Sequence, residues 1–335
     1  MNLKNIVRPY MKASYSRALW QLGSTSLAYG FLLYLMHLSL HKNYFITLLL
    51  SIPTSGIVMR LFIIQHDCGH QSFFKKKWQN DLLGTCIGIL TLTPYEYWHN
   101  QHAIHHATTG NLEKRGNGDV FTLTVKEYEN ADKIKRIWYR IYRNPIFLFF
   151  IGTPLHFLFL QRLPLGFQFK NPRSWISVMI TNIAIVSLVI LFAQFIGLGG
   201  VLFIYLPVIT FSAIAGGWFF YVQHQFEDAY WRDSKSWNFD EASIQGSSYY
   251  NLPKILNWFT GNIGFHHIHH LNSKIPNYRL QKCYKENPIL QKAPEIKFWK
   301  SFKTMRLALW DEQKKKMISF SELKKKYCQN LPDQI

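Results

Sequence analysis

Fourteen histidines are spread unevenly along this 335-residue chain, and eight of them fall into three short patterns. His66 and His70 stand in His66-Asp67-Cys68-Gly69-His70. His102, His105 and His106 stand in His99-Asn100-Gln101-His102-Ala103-Ile104-His105-His106. His266, His269 and His270 stand in Gly264-Phe265-His266-His267-Ile268-His269-His270. Residues three and four apart share one face of a helix, so each pattern presents its imidazoles together. Imidazole is a borderline-soft donor suited to iron, zinc, copper and nickel. A single histidine is ordinarily a satisfied core or surface residue. Three clusters at helix-face spacing are too regular for that, and eight donors are too many for one ion and suit two. The H-E-x-x-H helix of many zinc enzymes is missing, and no glutamate separates the histidines of any cluster. Neutral imidazoles in this number suit a redox pair, with iron the natural candidate for oxygen chemistry. Soluble di-iron proteins bridge their metals with carboxylates, so an almost all-histidine shell is a different solution. A ninth histidine, His224, lies at the end of an apolar run. Its position alone leaves open whether it is a ligand or an interfacial residue.

The elements that must carry these clusters are apolar. Runs at about 21–40, 44–64, 175–196 and 200–222 each reach the ~20 residues needed to cross ~30 Å of hydrocarbon. Two weaker runs, 82–94 and 145–163, are short or interrupted by Pro154, His156 and Gln161, and are read as interfacial or re-entrant. Were 82–94 to span, the second cluster would face away from the first. Lysine and arginine gather in the N-terminal flank, in Lys75-Lys76-Lys77, around Lys170 and Arg173, and in the tail, while the joins at Lys42-Asn43 and Gly197-Leu198-Gly199-Gly200 are nearly bare. The positive-inside rule then places both termini and the middle loop in the cytosol. The expected fold is an all-α integral membrane protein: four transmembrane helices in two hairpins, a cytosolic histidine-rich cap, and interfacial helices. The chain reads as one domain. It comprises a flank (1–20), a first hairpin (21–64), a segment with the first two clusters (65–174), a second hairpin (175–224) and a C-terminal region with the third (225–335). Arg60, near the end of its span, is expected to snorkel. The tail 297–326, mixing lysine with Phe298, Trp299, Phe302 and Trp310, is expected to lie as a helix in the headgroup layer.

Composition narrows the partners. A formal charge of +19 asks for something anionic. With spanning segments present, lipid headgroups fit best, an acidic protein next and nucleic acid least. Cys68, Cys86, Cys283 and Cys328 form no C-x-x-C pair, which fits a reducing compartment. The basic N-terminus lacks a cleavage site and is read as a retained cytosolic flank. Transporters place ionisable residues at mid-membrane. Here every cluster falls at or beyond the end of a run, which argues against transport and leaves a non-catalytic histidine-rich metal-binding membrane protein as a remote alternative. Asp119, Glu227 and Asp228 are candidates to hold ligand imidazoles by hydrogen bonds, as is Asp67 inside the first cluster. Gly56, Gly84, Gly216 and Gly217 are points where helices could approach closely or frame an apolar tunnel. His99 shares the stripe of His102 and His106, whereas His267 points about 100° away from its neighbours. Both are left outside the ligand set, with a supporting or surface role.

Taken together, H-x-x-x-H, H-x-x-H-H and H-x-x-H-H in this order resemble the membrane fatty acid desaturases. So do Asn111-Leu112-Glu113-Lys114-Arg115-Gly116-Asn117-Gly118-Asp119-Val120 and Ile275-Pro276-Asn277-Tyr278, which are similar to stretches of the bacterial and plant-type acyl-lipid branch. The resemblance runs from roughly the second span to Tyr278. It implies two iron ions held by His66, His70, His102, His105, His106, His266, His269 and His270. It adds His224, since related enzymes supply one histidine from the last span. It implies an oxidoreductase that uses dioxygen and two electrons to place a double bond in a membrane-lipid acyl chain, in a bacterial inner membrane. Three residues between the first two histidines, and His266 opening the third box, resemble enzymes acting at a Δ9, Δ12 or ω-6 position. A fatty acyl or carotenoid hydroxylase or ketolase on the same scaffold is the alternative. The chain has no haem-binding or iron–sulfur motif and no dinucleotide fingerprint, so a separate ferredoxin or small haem protein is the expected electron donor.

Overall fold

The computed structural model describes residues 3–116 and 118–330, the side chains of 326–330 excepted. Asn117 and the side chains of Lys326 and Cys328 lie outside the described residues. Helices dominate. The principal ones are α1 (Tyr15–Leu40), α2 (Tyr44–Gly69), α3 (Lys77–Leu90), α4 (Tyr95–Thr108), α5 (Lys133–Tyr142), α6 (Pro172–His224), α7 (His266–Leu271) and α8 (Asn277–Glu286). Asn43 caps α2 by accepting from Phe45 N at 3.0 Å, and Asn171 caps α6 in the same way, with Pro172 at the first helical position.

Three stretches among the described residues are long and apolar enough to cross a membrane: 44–69, 146–170 and 172–224. The last is two helices, because Gly197 at φ +71° and ψ 156° interrupts it. Arg162 ties both Asn182 on the first half and the Leu92 carbonyl, while Tyr205 on the second half donates to the Leu90 carbonyl. Both halves thus meet the chain at the end of α3, and the break at Gly197 falls within the uncharged Gly197-Leu198-Gly199-Gly200 stretch. α1 is a 26-residue helix but is not among the three, since Gln21, Ser24, Thr25, Ser26 and His37 lower its apolarity. The stretch 146–170 is long enough yet broken, with a π-helical turn over Ile146–Gly152, an α-turn over Thr153–Leu158 and 3-10 turns beyond.

Two expectations need correction. Arg60 does not snorkel. It is buried, donating from Nε to Thr25 Oγ1 at 3.1 Å and to the Trp258 carbonyl, with its guanidinium 4.4 Å from the Trp258 ring. Nor is the tail an interfacial helix. It forms β3 (Glu295–Lys297), parallel to β2 (Tyr249–Asn251), and then an antiparallel hairpin of β4 (Leu307–Asp311) and β5 (Lys316–Ser319). The hairpin is joined by the parallel strand β1 (Leu123–Thr124). Leu309 and Ile318 bury against Tyr128 and Tyr139, so these apolar side chains serve a small protein core.

α4 is held firmly against α2. Gln65 donates to the Thr93 carbonyl at 2.9 Å and accepts from Thr91 Oγ1 at 2.7 Å. Tyr95 Oη donates to the Cys68 carbonyl at 2.8 Å. Gly84 makes room for Tyr95, since a Cβ there would stand 2.2 Å from the ring.

Candidate metal centre

Four elements deliver the histidines: the end of α2, the middle and end of α4, the end of α6, and α7. The predicted spacing holds on each. The structure sorts nine imidazoles into two groups, His66, His70, His102, His106 and His269 in one and His105, His224, His266 and His270 in the other. One donor atom from each residue of a group lies within 4.8 Å of all the others. The first box stays whole, and the helical i, i+3, i+4 spacing splits the other two between the groups: His102 and His106 go to the first and His105 to the second, while His269 faces the first and His266 and His270 the second.

Adjacent donors are close. His106 Nε2 is 3.0 Å from His102 Nε2 and 2.9 Å from His269 Nε2. His224 Nε2 is 2.9 Å from His266 Nε2 and 3.2 Å from His105 Nε2, and His270 Nε2 is 3.1 Å from His266 Nε2. Bonds of ~2.1 Å from imidazole nitrogen to a common ion, at right angles, would set neighbouring donors ~3.0 Å apart. The observed spacing matches that edge. His70 Nε2 is buried with no hydrogen-bond partner among the described residues, as a donor aimed at an ion would be. Burial, and then mutual repulsion among neighbouring imidazoles, pushes His102, His105, His266, His269 and His270 well below the ordinary imidazole range. They are neutral at physiological pH, the state a metal requires. The donor set fits two ions.

The outer contacts separate the candidates. Asp67 belongs here: Oδ1 lies 3.3 Å from His66 Nδ1, and Oδ2 accepts from Asn277 N at 2.6 Å and Asn277 Nδ2 at 2.8 Å. His224 Nδ1 reaches the Gly246 carbonyl at 3.2 Å. Asp119 lines a small cavity with His105 and His224 and accepts from Gly116 N at 2.7 Å, and burial raises its pKa to about 6. Glu227 and Asp228 do not reach the histidines. Both are exposed at a turn between the buried Phe226 and Ala229, and Glu227 pairs with Lys316 Nζ at 3.1 Å. His99 stays outside both groups, beside Tyr95 and Gly69. His267 is outside them too, yet it is fully buried and not at the surface, packed near the rings of Tyr249 and Tyr284.

Sequence reasoning passed over several supports. Asn277 stood in a quoted stretch without a role, and only the fold brings it to Asp67. Lys274 Nζ donates to the His70 carbonyl at 2.9 Å. Aromatic side chains pack against the histidines: Trp98 stacks on His102 at 4.6 Å, Phe220 lies 5.1 Å from both His105 and His224, and Phe62 packs edge-on to Trp98. Of the glycines noted, Gly56 meets Phe259, Gly84 meets Tyr95 and Gly217 meets Thr153, all packing contacts, while a Cβ at Gly216 would meet open space.

Comparison with known proteins agrees with this geometry. The model of the family described as fatty acid desaturase matches residues 43–300. A protein named fatty acid desaturase from Bacillus subtilis is 41% identical over 320 residues, covering 95% of this chain and 90% of that one. An sn-1 oleoyl-lipid 12-desaturase from Synechocystis sp. is 28% identical over 232 residues, 68% of this chain and 64% of that protein. An sn-1 acyl-lipid omega-3 desaturase (ferredoxin) from Nostoc sp. is 28% identical over 242 residues, 67% and 62% of the two chains. The matched span contains all nine grouped histidines, and the chain belongs to the fatty acid desaturase family of oxidoreductases.

Proposed function

We propose that this protein is an acyl-lipid desaturase that introduces a cis double bond at a Δ9, Δ12 or ω-6 position, with two iron ions held by the nine grouped histidines. The observation that carries this reading is the sorting of those histidines into a group of five and a group of four. Two relatives whose names specify oleoyl-lipid 12-desaturation and ferredoxin support a lipid-borne acyl substrate and an external one-electron donor. Dioxygen is the oxidant in this reading. The proposed topology is four spans in two hairpins, with the histidines and both termini on the cytosolic side of a bacterial inner membrane. The break at Gly197, the contacts of both halves of α6 with the end of α3 and the convergence of all three boxes support it, since donors on opposite sides of a bilayer could not meet.

Bound there, the iron pair would supply the redox chemistry that an unpolarised methylene C–H bond demands and acid–base side chains cannot. The chain's own residues bind and orient. Asp67 keeps the His66 Nδ1 proton in place and so leaves Nε2 free for the five-histidine group, and the Gly246 carbonyl does the same for His224. Phe62, Trp98 and Phe220 give an acyl chain an apolar approach and exclude water from the histidines.

The test is expression in a host lacking polyunsaturated lipids, with fatty acids profiled by mass spectrometry. New double bonds at one position are expected. Hydroxylated or keto products in their place would overturn desaturation in favour of oxygen insertion on the same scaffold.

A further inference from the structure

α5 is the most one-sided surface on the molecule. Its sequence, Lys133-Ile134-Lys135-Arg136-Ile137-Trp138-Tyr139-Arg140-Ile141-Tyr142, contains no acidic residue. At 100° per residue, Ile134, Ile137, Trp138 and Ile141 fall within about 100° of one another. They are 69%, 48%, 64% and 39% exposed, whereas Tyr139 on the other side is buried against the β4–β5 hairpin. The stripe continues directly into Ile146 and Phe150, also exposed, at the start of a stretch apolar enough to enter a membrane. Between the two lies an apolar groove of about 370 Å³ floored by Leu123, Tyr142 and Phe147, with Lys135 among its lining residues.

We propose that α5 and this groove form a lipid-binding surface that lies in the plane of the membrane and takes anionic phospholipid. Acyl carbons cover the isoleucine stripe and enter the groove, and phosphate meets Lys133, Lys135 and Arg136. Three observations choose this occupant over a protein. Lys133 and Lys135 flank the apolar stripe, one on each side, with the exposed Arg136 behind them, as a headgroup layer above hydrocarbon requires. Trp138 sits exposed within the stripe, and indole is the side chain that favours a membrane interface. The stripe is continuous with a candidate spanning segment and so shares its level. The surface also leads inward. Arg143, just past α5, is buried and donates to Gln225 Oε1 at 2.9 Å and Tyr221 Oη at 3.1 Å, beside His224. Lipid contact therefore steadies the segment against which the four-histidine group is built.

The test does not depend on the reaction. Nitroxide labels are placed one at a time at 134, 138, 141 and 136 in a Cys86→Ser, Cys328→Ser background, and the full-length protein is reconstituted in nanodiscs of phosphatidylcholine with or without phosphatidylglycerol. Labels at 134, 138 and 141 are expected to collide with oxygen several-fold more, relative to a water-soluble nickel chelate, than the label at 136. Phosphatidylglycerol should deepen them, and a Lys133→Gln, Lys135→Gln, Arg136→Gln variant should cancel that shift. Water-like accessibility at all three stripe positions, shielding from oxygen and nickel alike, or depth indifferent to phosphatidylglycerol would each overturn the proposal. Unchanged metal stoichiometry in every labelled protein shows that the fold is intact.

Discussion

Replacing Asp67 by asparagine keeps side-chain volume and removes one charge, and its consequence can be worked out atom by atom. The carboxylate is 1% exposed and faces three donors: His66 Nδ1–H at 3.3 Å, Asn277 N–H at 2.6 Å and Asn277 Nδ2–H at 2.8 Å. An amide has one accepting oxygen, so its NH2 must confront either both Asn277 donors or the imidazole. The lesser loss keeps the oxygen on Asn277 and turns the NH2 towards His66 Nδ1. That nitrogen must then accept, and its proton moves to Nε2, the atom that serves the five-histidine group. Metal binding now has to displace a proton in addition to forming its bonds. Loss of such outer contacts typically costs 10–100-fold in metal affinity, or about 1.4–2.7 kcal/mol. Anaerobic titration of the stripped, detergent-solubilised protein with Fe²⁺ or Co²⁺ against a chelator should resolve two steps. Asp67→Asn should weaken one of them by that factor and leave the other unmoved, because the four-histidine group has no contact with Asp67. Asn277→Ala, which keeps the backbone donor, should weaken the same step less. Wild-type affinity in both steps for Asp67→Asn, or equal weakening of both, would refute the reasoning.

Other residues give equally definite outcomes. Gly84→Ala should cost about 1–3 kcal/mol, because its Cβ would stand 2.2 Å from the Tyr95 ring that ties α4 to α2. Gly216→Ala, which meets nothing within 4 Å, should be near neutral, and thermal melts in detergent compare the two. Arg143→Met should destabilise by about 3 kcal/mol or more, since the Phe121 and Leu307 carbonyls and Gln225 Oε1 lose a buried cation; a melting temperature within a degree of wild type would count against it. Burial pushes the His267 pKa down to about 3, from the ordinary 6.5. Between those values the unfolded chain binds the extra proton and the folded chain does not, so stability present above pH 6.5 is lost as pH falls towards 3. At pH 5 this amounts to roughly 2 kcal/mol for this residue. His267→Leu should therefore move the acid-unfolding midpoint of the metal-free protein to lower pH, and an unchanged midpoint would contradict that.

The grouping of the histidines was legible in the sequence because helical spacing is a local property. His102 and His106 share a face whatever the rest of the chain does. The division of the second and third boxes between two groups was implicit in the same spacing, but it needed partners from distant parts of the chain, as in the pair His106 and His269, 163 residues apart. Outer contacts were legible only where they were also local. Asp67 adjoins His66, whereas Glu227 and Asp228, three and four residues past His224, face solvent because the helix ends at His224 and Glu227 pairs with Lys316 of β5. Asn277 could not be assigned at all, since its contact spans 210 residues. Arg60 and much of the tail misled for one reason: charge and aromatic content near a membrane segment read as headgroup contacts, while a buried carbonyl takes Arg60 and a small sheet buries Trp310 and leaves Trp299 and Phe302 exposed. α5, the most amphipathic of the principal helices, lies inside what read as the middle loop.

A shell of neutral histidines also ties the site to the fold energetically. Nine imidazoles cannot be packed with donor nitrogens about 3 Å apart unless nearly all are uncharged, and burial is what keeps them so. Burial here comes from four helices with different anchors: α2 and α6 from the apolar layer, α4 clasped by Gln65 and Tyr95, and α7 held between Asp67–Asn277 on one side and the core around Tyr250 and Leu280 on the other. Without metal, the cluster contributes crowded lone pairs and buried nitrogens such as His70 Nε2 that lack partners, which oppose folding. With metal, the same nitrogens bridge all four elements. Binding free energy at such a site is folding free energy. Metal removal should therefore loosen the cap first, α7 and α8 becoming the earliest segments to exchange amide hydrogens, while α2 and α6 stay protected by their helical hydrogen bonds. Uniform protection loss across the chain, or none, would show that the cap is held by its protein contacts alone.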